Sequence, residues 1–322
     1  MRGDVLKYLI ALSALAFPST AALAQDEGEA IVFDMACPFM ALDFTPTSLA
    51  MGGASLGCTS DMASSAFSAP STMLFSDNTF SVRLDDQTWQ AAPTSYFSLG
   101  GAWHKSGKYG FCAGTTLGLD RPYEILNPVG QVVGIFRPYS LQVTLGGAMK
   151  LGTFFSTGMN LRYTREDVFK GFATNAVSGD LFASFHKGGL TATAGARDIG
   201  HTVAYDGSPA IPSRVSLGAG YVLPAGKDFS ISLLCDLETY VMGATEACGS
   251  KFPVEGSAGG EVGFREMIFL RAGYHWSGGG CVPSYLSAGG GVSLSHVRLD
   301  FCYVAWSPTA AGSFSFGLAF SF

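Results

Sequence analysis

The segment SFSFGLAFSF, Ser313 to Phe322, decides the fold. Its even-numbered positions are phenylalanine or leucine, and its odd-numbered positions are serine, glycine or alanine. Because successive side chains of a strand point to opposite faces, one face is apolar and the other is small and polar. No helix-forming segment lies nearby to cover the apolar face. The pattern therefore predicts a strand with one face toward lipid, and we expect Phe320 and Phe322 to serve barrel assembly.

The same alternation recurs upstream about every twenty residues and predicts about fourteen strands. The predicted ranges are 79–90, 94–105, 108–119, 137–150, 153–165, 175–187, 189–198, 213–223, 228–239, 254–265, 267–276, 284–294, 296–306 and 312–322. Tight turns alternate with longer connections such as 120–136, 199–212 and 240–253, as outer-membrane barrels require. The predicted fold is all-β: a transmembrane antiparallel up-and-down β-barrel with an N-terminal hatch.

The composition excludes several classes of protein. Only 14% of the 322 residues are charged, 42 are glycine and 25 are phenylalanine, and the mean hydropathy is +0.28, which disfavours an ordinary soluble enzyme. The formal charge of -6 comes without a basic stripe, which argues against a nucleic-acid partner. We expect the outer face of the barrel to contact outer-membrane lipid.

The N-terminus predicts export. Arg2 and Lys7 precede an apolar run, and Ala22-Leu23-Ala24 forms a small-residue cleavage site. The run is too short to span about 30 Å of hydrocarbon, so a cleaved signal peptide is favoured over a membrane anchor. The predicted organisation is a signal peptide at 1–24, a hatch at 25–76 and an outer-membrane barrel at 77–322.

The predicted hatch shows no sustained alternation and is rich in small residues. A short helix is predicted around Met62 to Phe67, with Asp61 or Ser60 as its N-cap and Pro70 as its stop. The segment is too apolar to hang free in water, so we expect it to pack inside the barrel.

Charged residues of both signs alternate with the lipid-facing positions and are therefore predicted to face the lumen. Unpaired charges would be costly in a narrow lumen, so ion pairs against the hatch are expected, as structure rather than as a substrate path. The predicted lumenal residues are Arg83, Asp85, Asn160, Arg162, Asp180, Arg214, Asp236, Glu238, Glu255, Glu261, Arg265, Arg271, His275, Arg298 and Asp300.

Short motifs carry a resemblance to a known family. LAMGGA at 49–54, an acidic residue at Asp61 and AFSAP at 66–70 are similar to the hatch pattern of the PorV/PorQ outer-membrane barrels, a family related in architecture to the FadL transporters. GQVVGIFRPY at 130–139 and Asp198-Ile199-Gly200 extend the likeness. Where the family has Asn-Pro-Ala, this chain has Ala69-Pro70-Ser71.

The resemblance implies residue roles and a pathway. It marks Met51, Gly52, Gly53, Asp61, Phe67 and Pro70 as hatch residues. It also implies an interaction or shuttle subunit of a type IX-like protein secretion or surface-attachment pathway, with a large translocon barrel or exported cargo proteins as partners.

No catalytic chemistry is predicted. The sequence has neither a GxSxG elbow nor an HExxH motif, and the spacing of its cysteines and histidines does not indicate a zinc site. We expect a non-enzymatic protein without a cofactor or metal.

Two functions follow from these patterns. In the first, the secretion subunit, apolar residues in outer loops would contact the partner: Tyr123, Ile125, Val203, Tyr205 and Val241. The alternative is a FadL-like channel for uptake of hydrophobic small molecules. It requires an apolar pocket between hatch and loops, and a hatch residue such as Phe67 or Met62 whose substitution changes uptake.

Overall fold

The computed structural model describes residues 36–89, 94–203, 210–241, 253–278, 282–306 and 312–322. Fourteen antiparallel strands form a closed barrel, and a separate hairpin contains two more strands, so the predicted all-β barrel is confirmed. The barrel strands are β1 (Phe80–Trp89), β2 (Thr94–Lys105), β3 (Tyr109–Leu119), β6 (Tyr139–Lys150), β7 (Phe155–Phe169), β8 (Phe172–Lys187), β9 (Leu190–Thr202), β10 (Arg214–Pro224), β11 (Phe229–Tyr240), β12 (Val254–Phe264), β13 (Ile268–Gly278), β14 (Tyr285–Leu294), β15 (Val297–Ala305) and β16 (Ser313–Ser321).

Each barrel strand pairs with its neighbours in sequence, except that β3 pairs with β6 around the hairpin. Pairing of β1 with β16 closes the barrel and places Leu84 opposite Leu318. The predicted alternation of faces is observed: on β6, Leu145 is 61% exposed on the lipid-facing side, whereas Thr144 is 1% exposed inside. Apolar side chains thus cover the outer wall while polar ones fill the lumen.

The structure corrects three predictions. The predicted loop 120–136 contains the hairpin of β4 (Tyr123–Leu126) and β5 (Val132–Phe136), whose mostly exposed strands lack a buried face that would produce alternation. Strand β9 continues to Thr202, into the predicted loop 199–212. Arg265 lies in the β12–β13 turn, where it pairs with the exposed Asp228, and does not face the lumen.

The hatch, from its first described residue at position 36, is built of short helical turns. They are Pro38–Ala41, Pro46–Leu49, Met62–Ala66 and Pro70–Phe75. The predicted turn near Met62 is present, but Pro70 begins a new turn and is not the stop of the previous one. Proline suits the first helical position because its missing N–H has no intrahelical acceptor there.

None of the helices in the described ranges is long and apolar enough to cross a membrane. The predicted signal peptide at 1–24 and the first part of the predicted hatch lie outside the described residues. The boundaries at positions 24 and 76 therefore stay predictions.

Candidate functional site

The hatch runs through the lumen from the loop end of the barrel to the tight-turn end. At the loop end, the N–H of Ala36 donates to the carbonyl of Ala210 over 3.0 Å. At the tight-turn end, His104 Nε2 lies 3.2 Å from the carbonyl of Ser76. Since His104 Nδ1 accepts from the N–H of Gly107, Nε2 carries the proton and donates to Ser76. The lumen is therefore occupied along its length by the hatch.

Hatch and wall meet backbone to backbone at glycines. A Cβ on Gly273 of β13 would lie 2.1 Å from the nitrogen of Gly52, and a Cβ on Gly57 would lie 2.2 Å from the nitrogen of Gly220 on β10. Gly52 and Gly53 also have positive φ angles of 73° and 89°. The structure therefore requires glycine at this pair, for close contact and for a left-handed conformation.

Phe67 is held on two sides. Its ring lies against Gly100 of β2 and Gly114 of β3, where added Cβ atoms would approach ring carbons to 2.6 and 2.8 Å. Its carbonyl accepts hydrogen bonds from Arg162 over 3.5 Å and from Arg197 over 3.3 Å. Two wall glycines therefore form a slot for the ring, and two wall arginines fix the hatch backbone beside it.

One buried ion pair joins the hatch to the first strand. Arg83 donates to the Asp61 carboxylate and also forms two hydrogen bonds of 2.7 Å with Asp85 on its own strand. Thr47 of the hatch donates to Asp61 over 2.8 Å. Burial alone would raise the pKa of Asp61, but the positive charges of Arg83 and Arg298 hold it below its ordinary value. Asp61 is therefore ionised in the folded protein.

A larger network lies on the opposite wall. Asp198 accepts from Arg162 over 2.6 Å and from Arg214 over 2.8 Å, and Glu238 accepts from Arg214 over 3.0 Å and from Arg197 over 2.8 Å. The expected lumenal ion pairs are thus present, and Arg214 also donates to the hatch carbonyl of Met40 over 3.1 Å. This network ties four wall strands, β7, β9, β10 and β11, to the hatch.

A β-bulge positions Asp198. The register between β8 and β9 shifts next to Asp180, and Asp198 has a positive φ of 54°. The N–H of Asp198 donates to the Asp180 side chain over 2.8 Å instead of to a strand carbonyl. In the sequence, this bulge is visible only as a loss of alternation after Ala196. We interpreted that loss as the end of the strand at residue 198, but it marks a bulge within a longer strand.

The outer end of the lumen is apolar but filled. Hatch side chains of Phe39, Met40 and Phe44 pack with Ile211, and Tyr96 covers the cluster. Below them lies an internal cavity of about 70 Å³, lined by charged and polar groups and also by apolar side chains such as Met40, Phe44 and Phe67. That volume corresponds to roughly two water molecules. In this structure the hatch's own side chains occupy the position where an apolar pocket was predicted.

The structure describes four of the five predicted outer-loop residues. Tyr123 contacts the ring of Phe136 and donates to the carbonyl of Val168 over 3.4 Å, while Ile125 is half-buried on the same hairpin. Val203 is 53% exposed and Val241 is half-buried. Tyr205 lies outside the described residues.

The remaining predicted residues contact the barrel wall or the seam that closes the barrel. Met51 packs on Gly259 of β12, and Pro70 lies against Gly158 of β7, both inside the lumen. Phe320 pairs with Val82 across the β1–β16 seam, and the carbonyl of Phe322 accepts from the N–H groups of Thr79 and Phe80. Within the described ranges, no group of three or more His, Cys, Asp or Glu side chains could hold a metal ion.

The chain is similar to solved bacterial barrels. The toluene transporter TbuX of Ralstonia pickettii aligns at 14% identity over 87% of this chain and 98% of its own, with a TM-score of 0.59. The monoaromatic hydrocarbon channel CymD aligns at 12% identity over 87% and 97%, with a TM-score of 0.59. A Pseudomonas aeruginosa FadL homologue aligns at 12% identity over 87% and 99%, with a TM-score of 0.50.

No protein-family model and no curated protein sequence matches the chain. At 12–14% identity the structural likeness shows the fold alone. It confirms a FadL-like outer-membrane barrel architecture, while the resemblance to the PorV/PorQ family stays a prediction.

Proposed function

We propose that the protein is an outer-membrane channel for uptake of hydrophobic small molecules and that the hatch closes it in this structure. The observation that carries the proposal is the apolar cluster at the loop end, formed by the hatch against the wall. A hydrophobic ligand that displaced Phe39, Met40 and Phe44 would find an apolar lining in their place. The similar barrels TbuX, a toluene transporter, and CymD, a monoaromatic hydrocarbon channel, support the same class of solute.

The charged layer below this cluster sets a condition on the mechanism. An apolar solute gains nothing from passing between Arg162, Arg214 and Glu238, because it would separate buried charges from their partners and could not replace those contacts. Passage therefore requires the hatch to move, or the solute to leave through the wall above the charged layer. In either case the position of the hatch controls uptake.

The secretion role predicted from the sequence lacks comparable support. The similar barrels are a toluene transporter, a monoaromatic hydrocarbon channel and a FadL homologue, and they favour the alternative function instead. The predicted partner contacts are also divided between exposed and half-buried positions. Translocon and cargo partners therefore do not form part of the proposal.

A disulfide between hatch and wall tests the proposal. The hydroxyl oxygens of Ser71 in the hatch and Ser184 on β8 are 2.7 Å apart and buried, so Ser71→Cys with Ser184→Cys can bridge them. In a bacterial strain lacking other such channels, we expect the wild type to raise uptake of radiolabelled toluene but not of glucose. The double variant should lose that uptake under oxidant and regain it under reductant.

Each single cysteine variant is the matched control and should keep its uptake under oxidant. Toluene uptake no higher than in the strain without the protein would refute the channel. Undiminished uptake with the disulfide formed would retain the channel but refute a moving hatch.

A further inference from the structure

A second site lies at the tight-turn end, where the hatch leaves the lumen. A recess of about 440 Å³ opens there between the end of the hatch and the turns that follow β2, β6 and β8. We define the turn-end recess by six of its lining residues: Phe75, His104, Lys150, Phe154, His186 and Lys187. Its volume falls within the range of about 300–1,000 Å³ found for small-molecule sites.

The recess carries unpaired positive charge. Lys150 Nζ lies 5.0 Å from the ring centroid of Phe75, and Lys187 Nζ lies 5.4 Å from that of Phe154. Neither ammonium group forms an ion pair with a carboxylate in the described part of the chain. Of the described residues that line the recess, Asp77 alone is acidic, and it is exposed. An anion in the recess would therefore meet cations without first displacing a protein carboxylate.

The aromatic part of the recess is held in place. The imidazole of His186 stacks on the ring of Phe75 with centroids 4.9 Å apart, and His186 Nδ1 lies 2.9 Å from Thr191 Oγ1. The hydrogen bond from His104 to Ser76 fixes the backbone directly after Phe75. Phe75 and His186 are therefore held in place, which reduces the ordering that ligand binding requires at these two rings.

We infer that the turn-end recess binds a small organic anion with a flat apolar body, such as an aromatic carboxylate. The ammonium groups of Lys150 and Lys187, which line the same recess, would attract the carboxylate, and the apolar body would pack beside Phe75 and Phe154. By the usual orientation of such barrels the tight-turn end faces the periplasm. The recess would thus hold anions on the side where solutes leave the channel.

The inference does not rest on transport, so the two proposals can fail separately. Binding is measured by equilibrium dialysis of 2-naphthoate against the full protein in phosphatidylcholine nanodiscs. The uncharged 2-naphthalenemethanol is the matched probe for the apolar body. We expect saturable binding of 2-naphthoate that weakens with salt, and much weaker binding of the alcohol.

The decisive variant is Lys150→Gln with Lys187→Gln, for which we expect about tenfold weaker naphthoate binding. Lys105→Gln with Lys108→Gln removes the same charge from the same end of the barrel without touching the recess, and should leave binding unchanged. Equal losses in both pairs would mean diffuse attraction to a basic surface and would overturn the site. Binding of 2-naphthalenemethanol as tight as that of 2-naphthoate would also overturn the site.

Anionic lipid headgroups offer the same chemistry from another source. Nanodiscs that contain phosphatidylglycerol show whether the recess binds a free organic anion or a lipid headgroup. Naphthoate binding that persists in them supports a site for free anions. Its loss would assign the recess to a phospholipid headgroup and overturn the inference.

Discussion

The guanidinium of Arg83 on the barrel wall and the carboxylate of Asp61 in the hatch form an ion pair in which both side chains are almost completely buried. Arg83 is at the same time fixed by Asp85 on its own strand, so its position is set before the hatch docks. The pair thus gives the hatch one defined point of attachment on β1.

Replacing Asp61 by asparagine should destabilise the folded protein by about 3 kcal/mol, because a buried charge loses one of its partners. Urea unfolding in detergent micelles measures the change. Asp228→Asn is the control: it breaks the exposed pair with Arg265, whose side chains are 60% and 46% exposed, and should cost less than about 1 kcal/mol. Equal effects of the two substitutions would contradict a special role for the buried pair.

Docking of the hatch should weaken in acid. The pKa of Asp61 is lowered in the folded protein, so its ion pair contributes full stability above the ordinary pKa of 3.8 and loses it as the pH falls below that value. Hydrogen exchange of hatch amides, compared at pH 7 and at about pH 3, should show acid-induced loss of protection near Asp61. In the Asp61→Asn variant, this acid-induced loss of protection should be absent. If the wild type and the variant lose protection equally in acid, Asp61 is not the group responsible.

Gly273→Ala should dislodge the hatch locally. Its new methyl group would lie 2.1 Å from the nitrogen of Gly52, and neither backbone can move without breaking its own hydrogen bonds. We expect a loss of about 1–3 kcal/mol in urea unfolding. In Gly260→Ala, on the lipid-facing side of β12, the methyl group would meet nothing closer than 3.5 Å and should change stability little. A neutral Gly273→Ala would show that hatch and wall are not in close contact.

If the protein is the proposed channel, Phe67→Ala should let uncharged apolar solutes leak past the hatch. The ring fills the slot between Gly100 and Gly114, and alanine would leave that space empty beside the hatch. Uptake of radiolabelled toluene should rise relative to the wild type. Phe316→Ala removes a lipid-facing ring of the same size and should leave uptake unchanged. Lower uptake in Phe67→Ala would instead identify the ring as part of the solute's path.

Alternation in the sequence was sufficient to predict the barrel because lipid and lumen impose opposite chemistry on neighbouring residues. The contrast between Leu145 and Thr144 is one example among fourteen strands. The ion pairs were predicted from charge balance, but not their partners, since Asp198 and Arg162 are 36 residues apart and meet only through the strand register.

The hatch was harder to predict. Its shape depends on close contact with wall glycines and on short helical turns, neither of which produces a periodic pattern. Pro38, Pro46 and Pro70 each begin such a turn, so the prolines were a usable signal for helix starts. The turn-end recess could not be predicted, because Phe75, Lys150 and His186 lie far apart in sequence.

The seam between β1 and β16 also sets an order of assembly. The hatch precedes β1 in the chain and lies inside the finished wall, whereas the partner of β1 is the final strand. The ring therefore cannot close until β16 pairs with β1, and the hatch docks either into the open sheet before closure or through one end of the closed ring. Folding that depends on so distant a contact is slow, and an unclosed sheet exposes two unpaired edges. During that interval we expect the chain to need protection from aggregation until Thr79 and Phe80 have paired with Phe322.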